Sequence, residues 1–463
     1  MKTARLDYTF LFEPIQNHST NVTLLTHPKD KRDCFTISIN DNSLSTNWLS
    51  TVPSISADLL DLAIAIHAAD RLIKRSADIP LSFRIKLPVR NFDTFSKSEV
   101  CNLLTDVLEW YTNDCWYFEF SKREISGRDV EVQPQLPLGI QPGEIEVALW
   151  SGGLDSLSGL HTRLLANTAT HHVLVGTGSN FYVLKKQQQI AREIDQSFSG
   201  RTSLIQIPYK WSKTPVTGKN FDQRSRGLVF ILIGVACAHH IGNGSLFIYE
   251  NGVGAINLPY SKAEVGLDQA RSVHPLSLLR VSKLVSSLLS APFQVINPYL
   301  FWTKAQMVKS LVNNERKELI FLSSSCDRKH RRQDGIAQCG VCTSCLLRRQ
   351  SLSALGIEDQ THYDKNLIDK DGAHFRAMQY QVNRIRFLLK QQDPWVSLSE
   401  EYHDLNDIAD QISFQTEEEI NNSRRQLIQL YTEYADEWKL FEEHIEKGTS
   451  NTMLPMHHHN KNI

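Results

Sequence analysis

The stretch Ser151–Ser156, which reads Ser-Gly-Gly-Leu-Asp-Ser, constrains the fold of this chain more than any other feature. It follows the apolar run Ile145–Trp150, typical of a buried strand, and precedes Leu157–Leu165, typical of a helix. Two glycines allow a tight turn between these elements and a close approach of the backbone to a ligand. Because the free N–H groups of a first helical turn attract anions, the stretch predicts a phosphate-binding turn.

Polar side chains in this turn refine the prediction. Ser151 and Ser156 add hydroxyl donors, whereas Asp155 by itself would repel a phosphate. The carboxylate fits a phosphate site if a Mg²⁺ ion lies between the two. A polar strand-to-helix turn without a ligand is the plainer interpretation, but the complete stretch after a strand favours the phosphate site. The predicted phosphate-binding residues are Ser151, Gly152, Gly153, Leu154, Asp155 and Ser156.

This stretch resembles the pyrophosphatase loop of the PP-loop ATP pyrophosphatases. It lacks the Gly-Lys-Ser/Thr ending of the Walker pattern. The resemblance implies that ATP is cleaved between its α and β phosphates, with release of pyrophosphate and transfer of AMP to a substrate oxygen. It therefore implies ATP and Mg²⁺ as cofactors and Asp155, Ser151 and Ser156 as catalytic residues.

The composition limits the classes of function. A chain of 463 residues is long enough for two or three domains. Lysine and arginine number 50 against 51 aspartates and glutamates, which argues against broad binding of nucleic acids. The first residues lead into no long apolar stretch, and the most apolar run, 227–238, is typical of a buried helix and too short to span a bilayer. We therefore expect a cytoplasmic protein that does not enter membranes.

Four of the eight cysteines are clustered. Cys339, Cys342 and Cys345 form two overlapping C-x-x-C steps, and Cys326 precedes them. Four thiolates complete a tetrahedral Zn²⁺ site of the structural type, so the cluster predicts zinc. An iron–sulfur cluster is the competing metal group. A redox dithiol would leave two cysteines unexplained, and four unligated cysteines are the plainest alternative.

A pyrophosphatase loop followed by Cys…Cys-Gly-x-Cys-x-x-Cys resembles the 7-cyano-7-deazaguanine synthase (QueC) family. Residues 345–359 are similar to the family's continuation after the cysteines. Weaker similarities are an arginine-led helix start at 225–230 and a lysine that opens a helix within 303–308. The resemblance covers residues 144–359, roughly half of the chain. It implies adenylation of the carboxylate of 7-carboxy-7-deazaguanine, attack by ammonia to give an amide, and a second ATP-dependent step to the nitrile.

Three positions outside the turn are candidate ATP contacts. Ser179 follows the second core strand, where an adenine or ribose contact fits. Arg226 could meet ATP or the substrate carboxylate, or could pair with a neighbouring carboxylate instead. Lys304 is a candidate phosphate ligand, although a solvated lysine is the plainer interpretation.

Three further positions are candidate substrate contacts. Glu250 and Asn251 follow the strand 245–248, and strand ends in open α/β sheets face the ligand crevice. They could equally cap the next turn. His274 precedes a proline, where a structural loop histidine is the plainer interpretation.

The chain also departs from the small synthases of this family. Those proteins are essentially one domain, whereas this chain carries extra segments on both sides, and its segment 249–259 differs from the Gly/Asn/Asp-rich segment of ordinary synthases. These features resemble the enlarged, QatC-type members of antiphage operons. That resemblance implies that the activated deazaguanine is joined to a protein amine rather than to ammonia, with protein partners from the same defence operon.

Local patterns divide the chain into five parts. Mixed strands and helices predict an N-terminal α+β lobe over 1–131, and proline and glycine indicate a linker over 132–143. Strand–helix repeats over 144–325 predict an α/β PP-loop (HUP-like) domain, a parallel sheet with crossover helices. A four-cysteine zinc knuckle is expected over 326–360, and a C-terminal helical lobe over 361–463.

Two other functions stay open at this point. One is thiolation or amidation of another base or metabolite, although sulfur transfer usually needs a reactive cysteine near the loop. The other is non-catalytic, an ATP-binding sensor or scaffold subunit of a defence complex.

Overall fold

The structure is a computed structural model that describes residues 7–15, 19–27, 31–44, 51–75, 80–124, 127–128, 131, 144–211, 223–260, 271–327, 338–412 and 416–450. Its strands are β1 (Asp7–Ile15), β2 (Ser19–His27), β3 (Lys31–Ile39), β4 (Ser82–Val89), β5 (Cys115–Lys122), β6 (Ile145–Leu149), β7 (His171–Gly178), β8 (Thr202–Trp211), β9 (Ser245–Phe247) and β10 (Gln294–Ile296). They form one sheet in the order β10-β9-β6-β7-β8-β3-β2-β1-β4-β5.

Helices cover this sheet and extend beyond it. They are α1 (Ser54–Leu72), α2 (Phe92–Phe95), α3 (Ser98–Thr112), α4 (Leu154–Ala166), α5 (Phe181–Ser197), α6 (Arg226–His240), α7 (Gly252–Ile256), α8 (Pro275–Leu289), α9 (Lys304–Asn313), α10 (Lys317–Leu322), α11 (Thr343–Ala354), α12 (Ala373–Leu389), α13 (Pro394–Glu401), α14 (Asp404–Ile412) and α15 (Glu417–Ser450). None of these helices combines the length and apolar composition needed to cross a bilayer.

The half of the sheet formed by β10, β9, β6, β7 and β8 is parallel throughout. From β6 the chain moves outward through β7 and β8 and then returns to the other side of β6 as β9 and β10. The strand order therefore reverses between β6 and β9, and in open α/β sheets ligands bind at the carboxyl edge of such a reversal. This arrangement confirms the predicted α/β class with a parallel sheet and crossover helices.

The N-terminal strands continue the same sheet. β3 pairs antiparallel with β8, with Ile37 opposite Trp211 and Ile39 opposite Tyr209. One hydrophobic core runs through both halves, from Phe10 and Phe83 to the buried faces of α1 and α6. The sequence patterns indicated a lobe before residue 132 but not this continuity. The predicted linker 132–143 lies outside the described residues, and the domain boundaries stay predictions.

The C-terminal helices α12 to α15 pack around a second core whose largest side chain is Trp438. This core also takes in Ile256 and Leu258, which follow β9, and Leu346 from α11. The C-terminal helices therefore contact the segment that leaves the strand reversal.

Within that segment, Gly252 lies closest to neighbouring backbone, and a substitution there tests this packing. Its N–H donates to the Trp302 carbonyl at 2.8 Å, and a Cβ at this position would lie 1.8 Å from the Leu300 carbonyl oxygen. Because that backbone cannot move aside cheaply, Gly252→Ala should lower the free energy of unfolding by about 2 kcal/mol or more. Denaturant titration measures the change. Gly244→Ala is the matched control, since its Cβ would meet its nearest atom, the Pro292 carbonyl oxygen, at 3.6 Å. Equal stabilities of the two variants would contradict the prediction.

Candidate active site

The turn after β6 has the geometry of an anion cradle. Gly152 adopts φ +68°, in the left-handed region that favours glycine. The Ser151 hydroxyl accepts a hydrogen bond from the Gly153 N–H at 3.0 Å and lies 2.8 Å from the Ser156 hydroxyl. The first turn of α4 follows directly, so its N–H groups point out of the same turn.

Neighbouring elements hold this turn from two sides. The Trp150 indole N–H donates to the Gln187 carbonyl on α5 at 3.0 Å, and the Trp150 backbone N–H donates to Val175 on β7 at 2.8 Å. On the other side, the Ser324 N–H points to the Gly152 carbonyl at 3.4 Å. The turn is therefore positioned before any ligand arrives.

Four predicted residues meet beside the turn. Asp155 forms an ion pair with Lys304, the first residue of α9, and accepts a hydrogen bond from the Asn251 amide at 3.1 Å. The same amide nitrogen donates to Glu250 at 2.8 Å. Lys304 is 5% exposed and Asn251 is fully buried, so the cluster is largely withdrawn from solvent. The structure thus brings together residues separated by 149 positions in the chain.

Glu250 differs electrostatically from Asp155. Withdrawal from water, followed by repulsion from Asp155, raises the pKa of Glu250 well above its usual range, to about 8, against the opposing attraction of Lys304. At neutral pH this carboxyl group therefore carries a proton. The cluster then holds one carboxylate, one ammonium and one neutral carboxyl group.

Local contacts explain why these side chains point into the cluster. Asn251 is the N-cap of α7, where its Oδ1 accepts from the Gly254 N–H at 2.9 Å. The Asn297 amide donates to the Glu250 carbonyl at 2.9 Å, and this contact joins the loops after β9 and β10. Thr303 caps α9 and forms a capping box with Gln306, so the helix begins with Lys304 in a defined place.

A network of polar contacts beneath the site joins β6, α4, β7 and the segment that follows β9. The buried Glu146 carboxylate contacts Arg163, the Tyr249 hydroxyl and His172. Burial would raise the pKa of Glu146, but these contacts lower it to about 2, so it stays ionised. Because Tyr249 directly precedes Glu250, the network holds the strand end that presents the cluster.

The other three predicted contacts lie apart from this cluster. Ser179 is exposed at the carboxyl end of β7, the same edge of the sheet as the turn. Arg226 is exposed in the first turn of α6. Their roles in binding ATP stay predictions.

His274 occupies a structural position. It is the N-cap of α8, its Nδ1 accepts from the Leu276 N–H at 3.3 Å, and its ring packs near Trp110. Burial, followed by repulsion from Arg271, lowers the pKa of His274 to about 3, so the ring is neutral. A contact between His274 and a substrate stays a prediction.

The four clustered cysteines are all buried, and their sulfurs lie within 4.8 Å of one another. The Cys339 N–H points to the Cys326 sulfur at 3.4 Å, and the Cys342 N–H to the Cys339 sulfur at 3.3 Å. Contact with the Cys326 and Cys345 sulfurs, together with burial, raises the pKa of Cys342. Such a cluster becomes anionic only if a cation compensates it, so these residues fit a metal ion.

Arg348 is a buried residue near the site that the sequence analysis did not single out. It is fully buried and donates to the Ile320 carbonyl at 2.6 Å, to Ser323 at 2.9 Å and to Thr361 at 3.0 Å. Ser323 adjoins Ser324, which contacts the phosphate turn. Arg348 therefore links the helix after the cysteines to the phosphate turn. Its sequence signal is its place within 345–359, the stretch that resembles the family's continuation after the cysteines.

No family model matches the chain. The chain is similar to 7-cyano-7-deazaguanine synthase of Acetivibrio thermocellus, with 25% identity over 231 residues. The match covers 96% of that protein and 47% of this chain. About half of this chain therefore has no counterpart in that synthase.

The metal site can be tested directly. We predict about one Zn²⁺ per purified chain, and Cys345→Ser should remove it and lower the melting temperature, because binding to the folded state contributes to folding stability. Elemental analysis and thermal unfolding measure both effects. Cys34→Ser, at an exposed thiol outside the cluster, should change neither. A folded wild-type protein without metal would refute the prediction.

Glu250 should leave a signature in the pH dependence of stability. The pKa of Glu250 in the folded state, about 8, exceeds its ordinary value of 4.5. The folded state therefore holds this proton more tightly than the unfolded state does. The resulting contribution to the free energy of unfolding is fully present below the ordinary pKa. That contribution is lost as the pH rises through the folded pKa. We predict that Glu250→Gln removes this fall in the free energy of unfolding between about pH 5 and about pH 8.

Urea unfolding at several pH values measures this slope. Glu318→Gln, at an exposed carboxylate paired with Arg316, is the control and should keep the wild-type slope. The same slope in Glu250→Gln and the wild type would show that Glu250 titrates normally.

Proposed function

We propose that this chain is a QueC-like ATP pyrophosphatase that adenylates the carboxylate of a 7-deazaguanine-type substrate. The observation that carries the proposal is the meeting of Asp155, Lys304, Asn251 and Glu250 beside a glycine turn at the strand reversal. The distant similarity to a 7-cyano-7-deazaguanine synthase supports the same class of chemistry.

Pyrophosphate release requires hydrogen-bond donors and positive charge beside the triphosphate, and the phosphate turn and Lys304 would provide them. Hydroxyls of Ser151 and Ser156 and the first N–H groups of α4 would hold the triphosphate. Lys304, already beside the turn, would stabilise the charge that develops on the departing pyrophosphate. A Mg²⁺ ion bound at Asp155 would add Lewis-acid stabilisation of the phosphate oxygens.

The proposed reaction has two bond exchanges. A substrate carboxylate oxygen attacks the α-phosphorus, the bond between that phosphorus and the bridging oxygen breaks, and pyrophosphate leaves. An amine nitrogen then attacks the acyl-adenylate carbon, the carbon–oxygen bond to AMP breaks, and the nitrogen loses a proton. Adenylation is useful here because a carboxylate oxygen is a poor leaving group and AMP is a good one.

The loop after β9 is the proposed substrate side of the site. The Glu250 carboxyl group and the Asn251 amide, which lie in hydrogen-bond contact, would offer polar partners to the donors and acceptors of a deazapurine. We propose that the acceptor is ammonia or a protein amine and that the chain acts with partners of a bacterial antiphage operon. The resemblance of the enlarged chain to QatC-type proteins supports this part of the proposal.

Product analysis tests the adenylation. We predict that ATP, Mg²⁺, 7-carboxy-7-deazaguanine and an ammonium salt together give AMP and pyrophosphate, and that Asp155→Asn lowers their formation about a hundredfold or more, because the variant loses the carboxylate that would hold Mg²⁺ and orient Lys304. Chromatography of nucleotides measures AMP. Asp106→Asn, at a surface carboxylate paired with Arg280, is the control. ATP binding by the wild type without release of either pyrophosphate or AMP would favour a nucleotide sensor and overturn the enzymatic proposal.

A further inference from the structure

One face of α15 contacts both sides of the candidate active site. Leu430, Glu433 and Glu437 are spaced by three and four residues, so they lie on the same face of this helix. Leu430 packs against Gly252, where a Cβ would lie 2.8 Å from its Cδ2. Gly252 directly follows Asn251, the residue whose amide joins Asp155 and Glu250.

The two glutamates hold the start of α9. The Thr303 hydroxyl donates to Glu437, and the Gln306 amide donates to Glu433. Thr303 and Gln306 are the two members of the capping box that begins α9. Both therefore have a second partner on α15, and Lys304 stands directly after the first of them.

Glu437 also reaches the helix that follows the cysteines. Its second carboxylate oxygen accepts from the Gln350 amide of α11 at 2.8 Å. Burial raises the pKa of Glu437 to about 7, while the hydrogen bonds from Thr303 and Gln350 oppose that rise. Burying a carboxyl group is costly unless hydrogen bonds offset its desolvation, and these two contacts offset part of that cost.

We propose that Glu437 is a positioning residue that holds the start of α9, and with it Lys304, in register with the phosphate turn. A lysine side chain has four rotatable methylene groups, so the place of its ammonium depends on where its helix begins. Small displacements of groups that stabilise developing charge reduce rates strongly. For its activity readout this inference rests on the proposed function, whereas the contact between α15 and α9 is measurable without any activity.

A matched pair of variants separates positioning from stability. Glu442 lies on the same helix and accepts hydrogen bonds from Gln379 and Arg386, both at 3.0 Å, which belong to α12 and lie away from α9. Glu437→Ala should lower kcat for AMP formation about tenfold or more and change KM for ATP much less. Glu442→Ala should lower the melting temperature about as much as Glu437→Ala does, but should keep kcat within about twofold of the wild-type value.

A conservative variant supplies the rescue. In Glu437→Gln the new carbonyl oxygen can accept from Thr303, and the new amide can donate to Gln350 Oε1, which lacks a partner among the described residues. This variant should therefore regain most of the lost kcat. Full activity of Glu437→Ala, or an equal loss in Glu437→Ala and Glu442→Ala, would overturn the inference.

Hydrogen exchange of the full chain gives a readout that is independent of catalysis. Glu437→Ala should speed amide exchange in 304–308, whereas Glu442→Ala should leave this segment as in the wild type. If the wild type forms no AMP, the adenylation proposal fails, and the exchange result alone then decides whether Glu437 holds the start of α9. Unchanged exchange in Glu437→Ala would overturn the inference even in an active enzyme.

Discussion

The Asn251 amide, shared between Asp155 and Glu250, is the contact on which the site depends. It can form only because β6 and β9 are neighbours, with Ala148 opposite Phe247, although almost a hundred residues separate them. The reversal of strand order at this point leaves the loops after both strands at one edge of the sheet. Any change that separated these strands would dissolve the cluster without altering one of its residues.

The charges of the cluster follow from that geometry. Two carboxyl groups near one lysine and largely shielded from water cannot both ionise without cost, so Glu250 keeps its proton while Asp155 pairs with Lys304. Binding of a triphosphate and a divalent cation would change these protonation preferences, since each ligand carries a larger charge than any single group of the cluster. The ammonium of Lys304 can then face the phosphates while the Asp155 carboxylate faces the cation.

Features encoded over short distances were predictable from the chain. The glycine turn after β6, the parallel strand–helix repeats and the C-x-x-C steps depend on residues a few positions apart, where periodicity and turn chemistry act directly. Glu250, Asn251 and Lys304 were candidates because each follows a strand or begins a helix. Their ATP and substrate contacts stay predictions.

Packing decided which of those candidates meet. Asp155 and Lys304 are 149 residues apart, Thr303 and Glu437 are 134 apart, and the β3–β8 pairing joins the N-terminal strands to the parallel half of the sheet. Local patterns carry no information about such distances, because the contacts arise from the strand order and from helices that share a buried face. For the same reason His274, a candidate by position alone, is found as a helix cap. Local sequence patterns determined the turns, strands, helices and cysteine motif of this protein, because residues a few positions apart act on one another directly. Long-range packing determined which of these elements are in contact.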